Sequence, residues 1–178
     1  MEQATVSLKQ TLSTDTQNLH AVAIGEMVVS ESPVDVLIAY GVGSCVAVCM
    51  YDPVAKIGGM LHALLPRAKS DRAQGNPTKF VEQGIPLLID ELLRQGARRS
   101  RMAAYLCGGA QVLDAPGFEN TLNIGERNVQ AAETGLKAAR ISIKARATGG
   151  SIGRTIKLYI SDGRVTLRSL EHRERPLS

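Results

Sequence analysis

Apolar positions first gather beyond residue 20, in four short β-prone runs at 27–29, 34–40, 45–51 and 57–65. The Asp52-Pro53 pair between the last two marks a tight connection, so those runs are predicted to form a hairpin. Residues 1–19 are rich in Thr, Ser, Gln and Asn and show little apolar periodicity. They are expected to form a flexible N-terminal extension, with a single domain over 20–178.

After a polar stretch at 67–77, Thr78 is placed to cap a helix running to about residue 95. Val81, Ile85, Leu88 and Leu92 keep the helical spacing, and Gly96 is a natural stop. Pro86 interrupts the pattern, because an interior proline loses one backbone bond. Residues 101–107 read as a buried strand ending in Gly108-Gly109. A second helix is expected from Asn123, with Glu126 completing a capping box and Ala132, Leu136 and Ala139 continuing its apolar face. Residues 141–147 alternate as a half-buried strand does. The runs 155–160 and 165–170 flank Asp162-Gly163, which predicts a hairpin with a type I′ turn. Strands before and after two helices give an α+β fold (an α/β sandwich), with mixed β-sheets flanked by helices.

Composition narrows the function. Of 178 residues, 44% are hydrophobic but only 3% aromatic, with no Trp, so base-stacking platforms are disfavoured and no nucleic-acid partner is expected. The net charge of +4 is spread among acids. Its densest cluster, Arg94, Arg98, Arg99 and Arg101, fits a solvated helix end. Three cysteines are an odd number for a disulfide framework. No run of eighteen apolar residues is present and the first nineteen residues lack an apolar core, so a cytoplasmic protein without membrane insertion is expected.

Chemistry concentrates at Gly41-Val42-Gly43-Ser44-Cys45 and Gly58-Gly59-Met60-Leu61-His62. A glycine turn before a thiol leaves it unshielded, and Gly43 and Ser44 can turn amide N–H groups toward one point, as an oxyanion hole requires. With Cys45 on one hairpin arm and His62 on the other, thiol and imidazole meet across the pair. The imidazole then takes the thiol proton and yields a nucleophile suited to amide hydrolysis. From the residue pattern alone a free cysteine is more often a packed core thiol than a nucleophile, and both readings of Cys45 stand at this point. Cys49 and Cys107 read as core packing. A zinc site from Cys45, Cys49, His62 and Cys107 lacks paired ligand spacing. Gly41-x-Gly43 lacks what a phosphate loop needs. His20 and His172 sit in polar end segments.

In order along the chain stand Ile24-Gly25-Glu26, Gly41-Val42-Gly43-Ser44-Cys45-Val46-Ala47-Val48, Tyr51-Asp52-Pro53 and Gly58-Gly59-Met60-Leu61-His62 with Leu65-Pro66. Lys79-Phe80, Gly108-Gly109-Ala110, Asn123-Ile124-Gly125-Glu126-Arg127-Asn128 and Thr148-Gly149-Gly150-Ser151-Ile152-Gly153-Arg154 follow. Together they resemble the CheD family of chemoreceptor glutamine deamidases over residues 21–170. The resemblance implies hydrolysis of receptor glutamines to glutamates, with Cys45 as nucleophile and His62 as base. It implies methyl-accepting chemotaxis receptors as substrates, a CheC-type phosphatase as a possible partner, a fold related to glutamine-deamidating toxins, and no metal or organic cofactor. The family pattern expects a threonine six residues before the cysteine, where this chain has Ala39. Restoring that hydroxyl is expected to speed the enzyme. The departure also keeps a second reading open, a regulatory binding module with weak or no catalysis. Thr148, Gly149, Gly150 and Arg154 fit a turn and also a substrate groove. Asn123, Arg127 and Asn128 read first as a helix start.

Overall fold

The computed structural model describes residues 17–68, 75–111 and 123–178. In chain order these form β1 (Asn18–Ala21), β2 (Glu26–Ser30), β3 (Asp35–Val42), β4 (Val46–Asp52), β5 (Ile57–Ala63), α1 (Val81–Arg94) and β6 (Ala103–Gly108). Then come α2 (Ile124–Ala138), β7 (Ser142–Thr148), β8 (Arg154–Tyr159), β9 (Val165–Ser169) and β10 (Arg175–Pro176). The N-terminal extension expected over 1–19 lies outside the described residues as far as residue 16. Asn18 and Leu19 belong to β1, paired with Asp35 and Val36.

The strands make two five-stranded sheets, ordered β1-β3-β8-β9-β10 and β2-β5-β4-β6-β7. Each is mixed: β1 runs parallel to β3, and β6 parallel to β7, while their other neighbours are antiparallel. Both helices pack on the second sheet, giving a sheet–sheet–helix order of layers. The expected α+β architecture is present.

Strand β4 shows why the sequence there is continuously apolar. Val46, Val48 and Met50 point to the helices and pack with Ile85, Leu88, Leu92 and Leu136. Ala47, Cys49 and Tyr51 point the other way, into a cluster with Leu37, Ile156 and Leu158 of the first sheet. All seven residues are buried, as in any central strand covered on both faces.

Three local expectations change. Thr78 does not cap α1: it lies in a short 3-10 turn, Pro77–Lys79, and its hydroxyl is drawn to the Gly25 carbonyl, so the helix starts at Val81 behind Phe80. Asn123 stands at the N-cap of α2, but its side chain bonds the Glu126 carboxylate instead of a helix amide. The β8–β9 hairpin forms, yet not through a two-residue type I′ turn. Gly163 has φ 72°, Asp162 has no positive φ, and Tyr159 N–H reaches Arg164 O at 2.9 Å, enclosing four residues. The reason is tertiary. Ile160 stays fully buried, and its carbonyl accepts the Tyr51 hydroxyl at 3.0 Å.

The arginine cluster is more specific than a solvated cap. Arg101 grips the buried carboxylate of Asp52 at 2.7 Å, and Arg99 donates to the Ala139 carbonyl at the end of α2.

Candidate active site

The β4–β5 ladder runs antiparallel from Asp52↔Ile57 to Val46↔Ala63, with Ala47 opposite His62. Cys45 lies one residue beyond the last pair. It is therefore a diagonal neighbour of His62, not the directly opposed partner that the sequence suggests. The alternation of β4 still puts both side chains on the face turned to the first sheet, where Cys45 and Ala47 join the inter-sheet cluster. Diagonal neighbours on one face of an antiparallel pair are within reach of long side chains.

His62 is 2% exposed. Its Nδ1 lies 3.1 Å from the carbonyl oxygen of Val22. A carbonyl only accepts, so Nδ1 carries the hydrogen and Nε2 is left with a lone pair. Nε2 is buried with no hydrogen-bond partner among the described residues. Burial lowers the pKa of the imidazole, and the bond to Val22 only partly offsets this. Burial pushes the Cys45 thiol up, its own amide N–H pulling slightly the other way. With the imidazole pKa lowered and the thiol pKa raised, both groups rest neutral, and the proton must move when a substrate arrives.

The loop before the thiol is held by its carbonyls. Gly43 O accepts from Ala110 N–H at 2.8 Å and Cys45 O from Gly109 N–H at 2.8 Å. Ser44 O accepts from Asn128 Nδ2 at 2.8 Å. Across a trans peptide, the carbonyl of one residue and the N–H of the next point in opposite directions. Anchoring the carbonyls of Gly43 and Ser44 to the scaffold therefore turns the amides of Ser44 and Cys45 away from it. Among the described residues neither amide donates to a backbone carbonyl. Such a pair suits an oxyanion.

Glycine makes this anchoring possible at one corner. A Cβ on Gly108 would lie 2.1 Å from Cys45 O, and one on Gly109 2.4 Å from Val129 Cγ2 and 2.8 Å from Gly125 O. The Gly108-Gly109 turn is thus pressed between the thiol loop and the first turn of α2, and both residues have positive φ.

Ala39, fully buried on β3 opposite Ile156, belongs to the same inter-sheet cluster as Cys45. Its methyl offers the imidazole nothing. The next residue back on β3, Ile38, receives Val22 N–H at 2.8 Å, and Val22 then presents the carbonyl that holds His62. The segment Thr148, Gly149, Gly150 and Arg154 borders the loop through β6. Gly149 N–H donates to Gly108 O at 2.9 Å, Gln111 N–H to Gly150 O at 2.7 Å, and Arg154 Nη1 to Gly149 O at 2.9 Å.

Cys49 and Cys107 are fully buried in the inter-sheet cluster. Burial carries the Cys107 thiol up to about 12 and raises that of Cys49 as well. Among the described residues no group of three or more His, Cys, Asp or Glu side chains is arranged to hold a metal ion, and no helix is long and apolar enough to cross a membrane. Asn128 is the site residue that sequence reasoning undervalued. The signal was present, since Gly125, Asn128, Ala132 and Leu136 form the buried stripe of α2 and only Asn128 is polar.

The sequence profile of CheD, described as chemotactic sensory transduction, matches residues 64–169. A probable chemoreceptor glutamine deamidase CheD from Caldanaerobacter subterraneus subsp. tengcongensis is 40% identical over 151 residues, 85% of this chain and 93% of that protein. Its counterpart by name in Pyrococcus abyssi is 45% identical over 153 residues, 84% of this chain and 90% of that protein. Alignments this long necessarily cross Cys45 and His62. Among solved structures, the Bacillus licheniformis hypothetical protein YfiH overlaps with a TM-score of 0.41 at 16% identity, covering 78% of this chain and 60% of that one.

Proposed function

Because the chain belongs to the CheD family, we propose that it is a chemoreceptor glutamine deamidase in which Cys45 is the nucleophile and His62 the general base. The observation that carries this reading is the imidazole itself. Its Nδ1 is held by the Val22 carbonyl, and its unprotonated Nε2 is buried, without a partner, on the face that Cys45 shares.

Nε2 takes the Sγ proton as the sulfur attacks the side-chain carbonyl carbon of a receptor glutamine. The negative oxygen that results is stabilised by the amides of Ser44 and Cys45, which the anchored carbonyls turn outward. When the C–N bond breaks, the imidazolium returns its proton to the leaving nitrogen and ammonia departs, leaving a thioester. Water then attacks that carbonyl carbon with Nε2 again as base, the C–S bond breaks, and glutamate and free thiol are released. Every step uses groups of the chain, the substrate and water.

The loop of Thr148, Gly149, Gly150 and Arg154 forms one wall of the substrate groove, supported by its bonds to the Gly108 turn beside Cys45. The enzyme works in the cytoplasm, where the modified portions of chemoreceptors lie, and a CheC-type phosphatase is a partner in keeping with the family. Incubation with receptor cytoplasmic fragments, followed by mass spectrometry, tests the reading: each deamidation replaces an amide nitrogen by oxygen. Conversion by the parent protein and none by Cys45→Ala is the expected result. Receptor binding without conversion by the parent would make the protein a regulatory binding module instead.

A further inference from the structure

Strands β4 and β5 part company just where the chemistry lies. After the last ladder pair, Val46↔Ala63, the β5 chain turns aside, and Leu64 N–H donates to Lys79 O at 2.9 Å. The Leu64 carbonyl and the Ser44 carbonyl are left facing the second turn of α2. Asn128, fully buried there, donates both hydrogens of its amide, one to Ser44 O at 2.8 Å and one to Leu64 O at 2.9 Å. One planar group thus joins the residue before the nucleophile to the residue two beyond the base.

We propose that Asn128 is a positioning residue that sets the oxyanion hole by holding the Ser44 carbonyl and so aiming the Cys45 amide. The inference rests on the deamidase reading and deepens it. The peptide link between Ser44 and Cys45 carries the bound carbonyl on one side and the Cys45 N–H on the other, so holding the first directs the second. Two features of the side chain fit this role better than a role in folding alone. A primary amide supplies two donors from one uncharged nitrogen at this reach, which Asp, Ser or an apolar residue does not. The same residue leaves its own Oδ1 buried without a partner among the described residues, an arrangement that costs stability.

The test compares the parent with the isosteric Asn128→Asp and with Asn128→Ala. Three rates are measured on each: deamidation of receptor fragments, acylation of Cys45 by p-nitrophenyl acetate, and its alkylation by iodoacetamide. Acylation develops an oxyanion and alkylation does not. Loss of the aimed amide is expected to lower kcat and the acylation rate about 10- to 100-fold. KM and the alkylation rate are expected to stay within about twofold of the parent, because neither depends on the oxyanion hole. Folded variants with unchanged acylation overturn the proposal. So do equal losses in acylation and alkylation, or the failure of both variants to fold. Should the parent acylate but not deamidate receptors, the deamidase reading falls alone, and the acylation-to-alkylation ratio of the variants still decides the role of Asn128.

Discussion

The Nδ1 of His62 and the carbonyl of Val22 are joined by a hydrogen bond of 3.1 Å that links the two sheets. Val22 is itself bound to β3 through Ile38 O. The bond sets the tautomer of the imidazole, and a backbone group cannot be altered by a side-chain substitution.

That bond decides what a hydroxyl at residue 39 can add. The sequence suggests that Ala39→Thr speeds the enzyme by supplying the imidazole with an acceptor. With Val22 O already in place, kcat is expected to change less than about twofold. Ala39 is 0% exposed, so the larger side chain is expected to cost about 1–3 kcal/mol through overpacking. Initial rates and urea unfolding of the two forms check both statements, and a several-fold faster variant would show that the threonine hydroxyl takes over the imidazole.

The three thiols are expected to separate cleanly. Cys45→Ala abolishes deamidation, whereas Cys49→Ala and Cys107→Ala retain it and lose about 1 kcal/mol of stability. Burial keeps the Cys49 and Cys107 thiols protonated at neutral pH, Cys107 with its pKa up at about 12. Equal losses of turnover in all three variants would speak against Cys45 as the nucleophile.

The pH profile follows from the imidazole. Burial lowers the His62 pKa below the usual 6.5, offset in part by Val22. A general base must be neutral, so the acid limb of kcat/KM is expected to be centred below pH 6.5. An acid limb centred at or above 6.5 would exclude a buried His62 as the base.

Gly108→Ala tests the corner that carries the thiol loop. The added methyl would lie 2.1 Å from Cys45 O and 2.8 Å from Val42 Cγ1, at a φ of 121° that an L side chain resists. The loop must shift to make room. A loss in kcat of about 100-fold is expected, alongside a stability cost of about 1–3 kcal/mol. Turnover at the parental rate by a folded variant would show that the loop tolerates displacement.

At the opposite end of the hairpin, stability depends on Asp52. Burial alone would raise its pKa, but Arg101 and the N–H groups of Arg98, Ala55 and Val54 outweigh that and hold it at about 2. A lowered carboxylate stabilises fully above the unfolded value of 3.8, and the contribution fades as pH falls through about 2. Asp52→Ala is expected to cost about 3–5 kcal/mol at neutral pH. In urea titrations the gap between parent and variant is expected to narrow between about pH 4 and pH 2. A gap that does not change with pH would place the energy elsewhere.

The residues by themselves determined most of the strands, both helices, the α+β class and the pairing of β4 with β5. These follow from local periodicity and from turn residues such as Asp52-Pro53 and Gly96, whose influence reaches only a few positions. The glycine turn before Cys45 was legible for the same reason. What only the tertiary structure decided are contacts between segments distant in sequence: Val22 with His62, Asn128 with Ser44 and Leu64, and Tyr51 with Ile160. The start of α1 after Thr78 and the shape of the β8–β9 turn were settled by such contacts, which overrode the local preference. Periodicity assigns a residue to a face, but it carries no information about which carbonyl a buried imidazole or amide meets, because that depends on how two sheets and a helix pack together.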